Sequence, residues 1–577
     1  MPLDNKAKYS LVSLALVVLL FVMVFGVICA HPLMIAPEVA LNLEAAKLIA
    51  LGKIPYVDFF CLSSPLMLYG NLVPLLFART LGIPPSLASN LLAWSLSLIS
   101  VLSCAAILLP RRYHREWHYF PPLIVAYALS NVLMLFQLGQ CEHLVMLVAV
   151  PYFLIRWLRW NGHAVSRREA IVAGAFAALG FCLWHGFLYI VAGLEVFWPI
   201  ALRKIRPLLG LEVRACICAA SICLLVASFL PEAARTSYLS LVYPMLTLGY
   251  QCHDWSIYGS RSVPDRRDVF YLAIAAILFV LPFRRRTSLA APLVVVFLVG
   301  FGLYLSQLKG LSQSAIPMVF AITLLLSVNF GIVVSLVHRL KNANIKDEKE
   351  SCISAKVING IRVASRNPMN FLIVLCVYAL SVVILAGAFL KQKESKIGRG
   401  LPQVGEVLGE VAGEVLSGSP SAQAAGETSE LANCSSWLAK YSRENDEVLF
   451  LTDSLVPGYP LILQMNRKPT GYLLQSDCLL ELEACERESL QPKTFQSYAE
   501  KLYPRLENDI ASQRAKMIFV QAVTIDDLLK KHKVAETLHK YYELRGHARL
   551  KGVNAEPVEH TGFNYNIGVF LPRRQHQ

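Results

Sequence analysis

The stretch Ala36-Pro37-Glu38-Val39-Ala40-Leu41-Asn42-Leu43-Glu44-Ala45-Ala46-Lys47-Leu48-Ile49-Ala50-Leu51-Gly52-Lys53-Ile54-Pro55-Tyr56-Val57-Asp58-Phe59-Phe60 decides how this chain is read. It lies in a loop from His31 to Ser64 that follows the apolar run Tyr9–Ala30. That run is about twenty residues long, enough to cross a bilayer. The loop sets Glu38, Glu44 and Asp58 at a membrane surface, in a chain otherwise apolar and poor in acids. Carboxylates in that position need a reason, and function is the default one.

The composition agrees. Of 577 residues, 55% are hydrophobic and only 16% charged, and the mean hydropathy is +0.49. These values describe an α-helical polytopic membrane protein. The first apolar run follows Lys6 and Lys8, is too long for a signal-peptide core and ends in no clean A-x-A site, which predicts a retained anchor. The net charge of +14 raises the question of nucleic acid. Its distribution argues against that partner. From Lys391 onward there are 23 basic and 24 acidic residues, whereas residues 1–390 hold 31 basic and 16 acidic ones. The excess therefore sits between hydrophobic runs, where positive-inside sorting puts it.

Hydrophobic runs recur at 9–30, 65–82, 87–110, 119–138, 142–158, 168–184, 186–202, 214–231, 269–283, 289–305, 313–337 and 370–390. Counting all of them as spans scatters the basic clusters over both sides. The run 65–82 is short and opens with Pro65, so it reads as a juxtamembrane or re-entrant helix. With that change, Lys6/Lys8, Arg111–Arg115, Arg156–Arg168, Arg203–Arg214, Arg284–Arg286 and Arg339–Arg366 all fall on the cytoplasmic side. The expectation is about eleven transmembrane helices, with the N-terminus cytoplasmic and the C-terminus extracytoplasmic. Residues 1–390 then form a transmembrane domain. Residues 391–433, with three G-E-V units and S-G-S-P-S-A-Q-A-A-G, form a linker. Residues 434–577 form a small α/β extracytoplasmic domain, with strands expected at Glu447–Thr452, Lys516–Gln521 and Asn564–Leu571. Several of the fourteen cysteines lie in apolar runs as small hydrophobes. Cys434, Cys478 and Cys485 leave room for one disulfide in the tail. No CxxC pair or zinc spacing is present.

This topology gathers distant polar segments on the outer face: Glu38, Glu44 and Asp58; Gln140-Cys141-Glu142-His143; Trp184-His185-Gly186; the loop 232–268; and Gln307-Leu308-Lys309-Gly310. The pattern P-E-x-A, then G-x-x-P-Y-x-D-F and S-P-L-x-x-Y, resembles the first outer loop of GT-C-type integral-membrane glycosyltransferases. That superfamily includes the lipid A aminoarabinose transferases and protein O-mannosyltransferases. L-G-Q-C-E-H-L with P-Y-F-L is similar to its second acidic loop, and L-K-G-L-S-Q-S-A-I-P to its late K-G-x-x-x-Y-x-x-P segment. The resemblance covers about 1–340 and extends to a similar outer tail.

The resemblance implies transfer of a sugar from a polyprenyl-phosphate donor to a lipid, glycan or protein acceptor, with inversion at the anomeric carbon. Glu38 stands where the family has its proposed base, usually Asp; the plainer reading is a solvated loop acid. Glu142 matches the second acid, implicated in acceptor or metal contact; otherwise it caps a helix N-terminus. Gln140 and His143 flank it as substrate-contact candidates, although a surface role is the plainer reading of His143. Asp58 either binds a sugar hydroxyl or closes a turn after Pro55-Tyr56. Glu44 lies off the helical face of Glu38 and reads as solvated. Lys309 suits a lipid phosphate as a point charge, and His185 does so when protonated; the plainer roles are snorkelling and interfacial anchoring. The family's aromatic residue after the lysine is replaced here by Ser312-Gln313-Ser314. Trp255 with Arg261, Arg266 and Arg267 reads first as interfacial anchoring. A divalent metal held by Glu38, Glu142 and His143 is conceivable, but their spacing is not diagnostic. Two other functions stay open. A transporter or flippase of lipid-linked saccharides would need ionisable residues deep in its spans, of which Glu195 is the clearest. A GT-C scaffold without catalysis would fit the departures at Glu38 and after Lys309.

Overall fold

The computed structural model describes residues 5–30, 35–111, 116–184, 186–248, 288–307, 316–343, 430–452, 457–488, 492–522, 524–548 and 567–573, with residues 33, 274, 277, 278 and 455. The expected spans at 269–283 and 370–390 and the linker 391–433 lie outside this set, apart from isolated positions and residues 430–433, which open the helix Glu430–Tyr441.

The membrane part is a packed set of helices. They are α1 (Asn5–Ala30), α5 (Pro85–Leu108), α6 (Phe120–Leu133), α7 (Cys141–Trp160), α8 (Arg167–Leu183), α9 (Gly186–Leu202), α10 (Leu211–Ser228), α13 (Ala290–Gln307) and α14 (Ile316–Ala343). Between α1 and α5 come α2 (Pro37–Ala50), α3 (Pro65–Gly70) and α4 (Leu72–Leu81). After α10 come α11 (Glu232–Ser237) and α12 (Tyr243–Leu248). Among the described residues, four helical segments are long and apolar enough to cross a membrane: Tyr9–Ala30, Pro85–Arg111, Cys141–Trp160 and Leu211–Ser228. Gly186–Leu202, Ala290–Tyr304 and Ile316–Ile332 are shorter apolar helices. The run 65–82 breaks into two pieces. Ser64 caps α3 by accepting from the Met67 amide at 3.3 Å. The Asn71 side chain, at the joint, donates to the Met67 carbonyl at 2.7 Å. Neither piece approaches the length a span needs.

One hydrophobic core runs through the bundle. Phe21 of α1 stacks on Trp94 of α5 at 4.3 Å, and the Trp94 indole donates to the Phe21 carbonyl at 3.0 Å. α8 starts from a capping box, Ser166 with Glu169. It approaches α10 closely because Gly174 has no side chain: a Cβ there would sit 2.1 Å from the Glu212 carbonyl oxygen. The charges gathered around Arg156 satisfy one another. Arg156 of α7 pairs with Glu195 of α9 at 2.5 Å and with Glu212 of α10 at 2.6 Å. Arg159 reaches Glu212 at 3.2 Å, and the Trp160 indole donates to Glu195 at 3.2 Å. Glu195 is therefore part of an ion network that ties three helices together.

The C-terminal part is a five-stranded mixed sheet with helices. Its strands are β1 (Glu447–Leu451), β2 (Lys468–Pro469), β3 (Met517–Gln521), β4 (Tyr542–Ala548) and β5 (Ile567–Pro572), in the order β2-β1-β3-β5-β4. β1 runs parallel to β2 and β3, and β5 is antiparallel to β3 and β4. The three expected strands are β1, β3 and β5. β4 was missed because Tyr542-Glu543-Leu544-Arg545-Gly546-His547 is an edge strand whose exposed side chains read as polar helix. Cys434, Cys478 and Cys485 are all buried as thiols. The disulfide left open by the sequence is not formed, and the three thiols act as small core residues.

A second hydrophobic core crosses the expected domain boundary. It joins α2 and the segment Tyr56–Cys61 to the sheet domain. Phe60 bridges to Leu473 in parallel, donating its amide to the Tyr472 carbonyl at 2.6 Å and accepting from the Leu474 amide at 3.0 Å. The Leu62 amide donates to the Gln475 side chain at 2.9 Å. α2 also packs against the helix Gly458–Gln464. This corrects the solvated reading of Glu44. Covered by that domain, it is only 3% exposed and pairs with Lys47 at 2.6 Å. Burial pushes its carboxyl above the ordinary carboxylate range, and the Lys47 charge pulls it partway back. A raised acid holds its proton more tightly folded than unfolded, so its contribution to stability is greatest at low pH and falls as pH rises. In Glu44→Gln the loss of melting temperature between pH about 4 and about 8 should be smaller than in wild type, as read by thermal unfolding of the purified proteins.

Candidate functional site

Two carboxylates come together at the starts of two helices. Pro37 opens α2 with its fixed φ, after Ala36 in extended backbone, and Glu38 falls in the first turn. Gln140 is the extended residue before α7, and Glu142 falls in the first turn of that helix. Both acids are thus placed where the helix dipole favours a negative charge. The two turns touch. Gly139 has φ of 79°, and a Cβ built on it would lie 3.6 Å from both the Val39 and the Ala93 side chains. Val39 is only 1% exposed, so the residue beside Glu38 lies close to the turn that launches Glu142. The Glu38 and Glu142 carboxylates lie within Coulombic reach of each other. Like charges so placed make a site that attracts protons, hydroxyl donors or cations.

The surroundings are rich in buried acceptors. Glu142 is 6%, Gln140 4%, His143 0% and Asn42 3% exposed. Among the described residues, Glu142 Oε2, Gln140 Oε1, Gln137 Oε1, Asn42 Oδ1 and His143 Nδ1 have no hydrogen-bond partner. Buried polar atoms are ordinarily satisfied. A cluster of orphaned acceptors calls for a donor-bearing ligand such as a polyol, or for water.

His143 is fully buried, which corrects the surface reading. Its Nε2 lies 3.3 Å from Asn131 Oδ1. The Asn131 amide is itself held by donating to the Tyr127 carbonyl at 2.8 Å. Among the described residues no three His, Cys, Asp or Glu side chains assemble into a metal-holding group. Glu38, Glu142 and His143 therefore do not form such a group.

Asp58 stands apart from the two acids in role. It is exposed, and its Oδ2 accepts from the Ile54 amide at 2.7 Å, which closes the turn around Pro55. Tyr56 there takes a φ of 64° and donates its hydroxyl to the Ser63 carbonyl at 2.6 Å. His185, Lys309 and the segment 249–268 with Trp255 and its arginines lie outside the described residues. Asn42 and Asn131 escaped the sequence reading. Asn42 falls one helical turn after Glu38, on the same face, and reading 37–50 as a helix would have singled it out. Asn131 has no local signal; only the packing of α6 on α7 brings it to His143.

Gly139→Ala tests how tightly the two turns are coupled. The left-handed backbone costs a non-glycine residue about 1–2 kcal/mol, and relaxing it would swing the Glu142 turn away from Val39. The variant should remain folded with a melting temperature lower by several degrees, and should lose far more of any activity that depends on both acids than its stability loss explains.

No protein-family model matches this chain, and no curated protein matches it. Among solved structures it is similar to ArnT from Cupriavidus metallidurans bound to undecaprenyl phosphate, with a TM-score of 0.49, 12% identity and 98% of each chain covered. It is also similar to the archaeal oligosaccharyltransferase AglB from Archaeoglobus fulgidus in complex with an inhibitory peptide and a dolichol-phosphate, with a TM-score of 0.43, 13% identity, and 93% of this chain and 72% of that one covered. A third is the arabinofuranosyltransferase AftD from Mycobacteria, with a TM-score of 0.39, 14% identity, and 100% of this chain and 40% of that one covered.

Proposed function

We propose that this chain is a membrane glycosyltransferase that moves a sugar from a polyprenyl-phosphate donor to a hydroxyl of a lipid, glycan or protein acceptor on the extracytoplasmic face. The observation that carries this reading is the pair of carboxylates, Glu38 and Glu142, each in a helix first turn and within Coulombic reach of each other, on segments that also carry buried acceptors without partners among the described residues. Such a set of acceptors suits the hydroxyl groups of a sugar and an acceptor.

The acceptor oxygen attacks the anomeric carbon from the face opposite the phosphate. A carbon–oxygen bond forms, the bond to the phosphate oxygen breaks, and the configuration inverts. The acceptor proton passes to the Glu38 carboxylate, and the phosphate leaves on its lipid. Glu38 is the half-exposed member of the pair, which suits the group that must meet an incoming acceptor. Glu142, in the first turn of α7, orients the hydroxyls. Lys309 and His185 are assigned to the leaving phosphate from the motifs alone. Positive charge there stabilises the oxyanion as it forms.

The test uses purified wild type and Glu38→Gln in lipid, each incubated with radiolabelled polyprenyl-phosphate sugars and a membrane lipid and glycan extract. Removing a general base is expected to slow transfer by roughly a hundredfold to ten-thousandfold, with the melting temperature unchanged. Transfer that survives in Glu38→Gln would take the base away from Glu38 while keeping the class. Movement of lipid-linked sugar in proteoliposomes, with no transfer by either protein, would replace the enzyme by a transporter.

A further inference from the structure

The opposite end of α7 carries a cavity that the proposed reaction does not use. Glu142 and Trp160 are separated along α7 by about 27 Å. The cavity has a volume of about 390 Å³ and opens between the end of α7, the start of α8 and the turn into α10. Among the described residues Arg159, Arg167, Arg206 and Arg214 line it, with no acidic side chain in the lining. Arg159 has a carboxylate partner in Glu212, which is also engaged by Arg156. Among the described residues Arg167, Arg206 and Arg214 have no ion-pair partner.

Cations gathered around one cavity repel each other, and an anion within it reverses that cost. Guanidinium forks match the geometry of a phosphate. The first turn of α10 also lines the cavity through Gly210 and Leu211. Glu212, in the first turn of that helix, has its charge met by Arg156 and Arg159, so it leaves the cavity's arginines available to an anion.

The flanks distinguish the source of the phosphate. Ile205 and Leu209, in the turn that also carries Arg206, are each 73% exposed. Beyond them the outer faces of α8 and α10 expose Phe176, Ile217 and Leu224. A basic cavity bordered by unpartnered apolar side chains suits an amphiphile better than a soluble ion. We propose that this cavity is a headgroup site for an anionic phospholipid, whose phosphate is held by Arg206, Arg214 and Arg167 and whose acyl chains lie along Ile205, Leu209 and the outer faces of α8 and α10.

The experiment reads lipid retention on the full chain, purified in detergent with phosphatidylglycerol or phosphatidylcholine and examined by native mass spectrometry. Wild type should retain phosphatidylglycerol in preference to phosphatidylcholine. Arg206→Gln with Arg214→Gln should weaken that binding about thirtyfold, since each interfacial arginine contributes about fivefold. These two side chains are exposed, so the double variant should melt like wild type. Arg206→Lys with Arg214→Lys keeps both charges and should fall between the two, because lysine lacks the fork. Arg203→Gln with Lys204→Gln removes two exposed cations that do not line the cavity and should leave binding intact. The proposal is overturned if wild type shows no phosphatidylglycerol preference, or if the Arg203/Lys204 pair weakens binding as much as the Arg206/Arg214 pair. It is also overturned if inorganic phosphate at about 10 mM displaces the lipid, since the ligand would then be a soluble anion.

Discussion

The candidate site depends on one helix being held from two sides. α2 is a short juxtamembrane helix, and an isolated helix of that length is marginal in water. Here its buried residues Val39–Ala46 are shared between α3, α4 and the sheet domain. On one side α3 and α4 pack against it, and the Val39 side chain lies near the Gly139 turn. On the other, α2 and the Phe60 bridge join the core of the C-terminal domain. Glu38 sits at the start of that clamped helix. A carboxylate that is to meet a substrate in a fixed direction needs such a frame, because a small misplacement of a reacting group is costly.

The sheet domain is therefore part of the site's support as well as an appendage on a linker. The ladder through Phe60 and Leu473 uses backbone groups, which any side chain could offer. The specificity comes from the side chains around it: Gln475 receives the Leu62 amide, and the Tyr472 hydroxyl donates to the Tyr56 carbonyl at 3.1 Å. Arg505 lies 4.4 Å over the Tyr472 ring. Asp58 closes the turn that presents this segment, so its contribution to the site is exercised through the loop's shape.

The two ends of the bundle divide the charge between them. Near Glu38 and Glu142 carboxylates gather and buried acceptors stand without donors. At the other end arginines gather, and the acids that reach them, Glu195 and Glu212, are consumed in ion pairs. A buried charge is tolerable when paired and hydrogen-bonded, which explains why an apolar bundle can keep Arg156 at 1% exposure. The pairing also removes Glu195 as support for a transport route through the spans.

Much of this was legible in the residues alone. Apolar runs and basic clusters need only composition and spacing, so the helical membrane class, the break at 65–82 and three of the five strands could be read directly. The helix-start position of Glu142 follows from the polar residues before a long apolar run, a local signal; Glu38 read as a loop acid, although Pro37 marks the start of the helix that carries it. What the tertiary structure decided is everything that depends on which segments meet. Glu44 is buried because a domain some four hundred residues later in the chain covers it. His143 is turned to Asn131 where the end of α6 meets the start of α7, and the tail cysteines are buried core thiols rather than a disulfide. Sequence periodicity reports which face of an element is apolar. It carries no record of the partner that face will find, and the partner sets burial, charge and hydrogen bonding at the site.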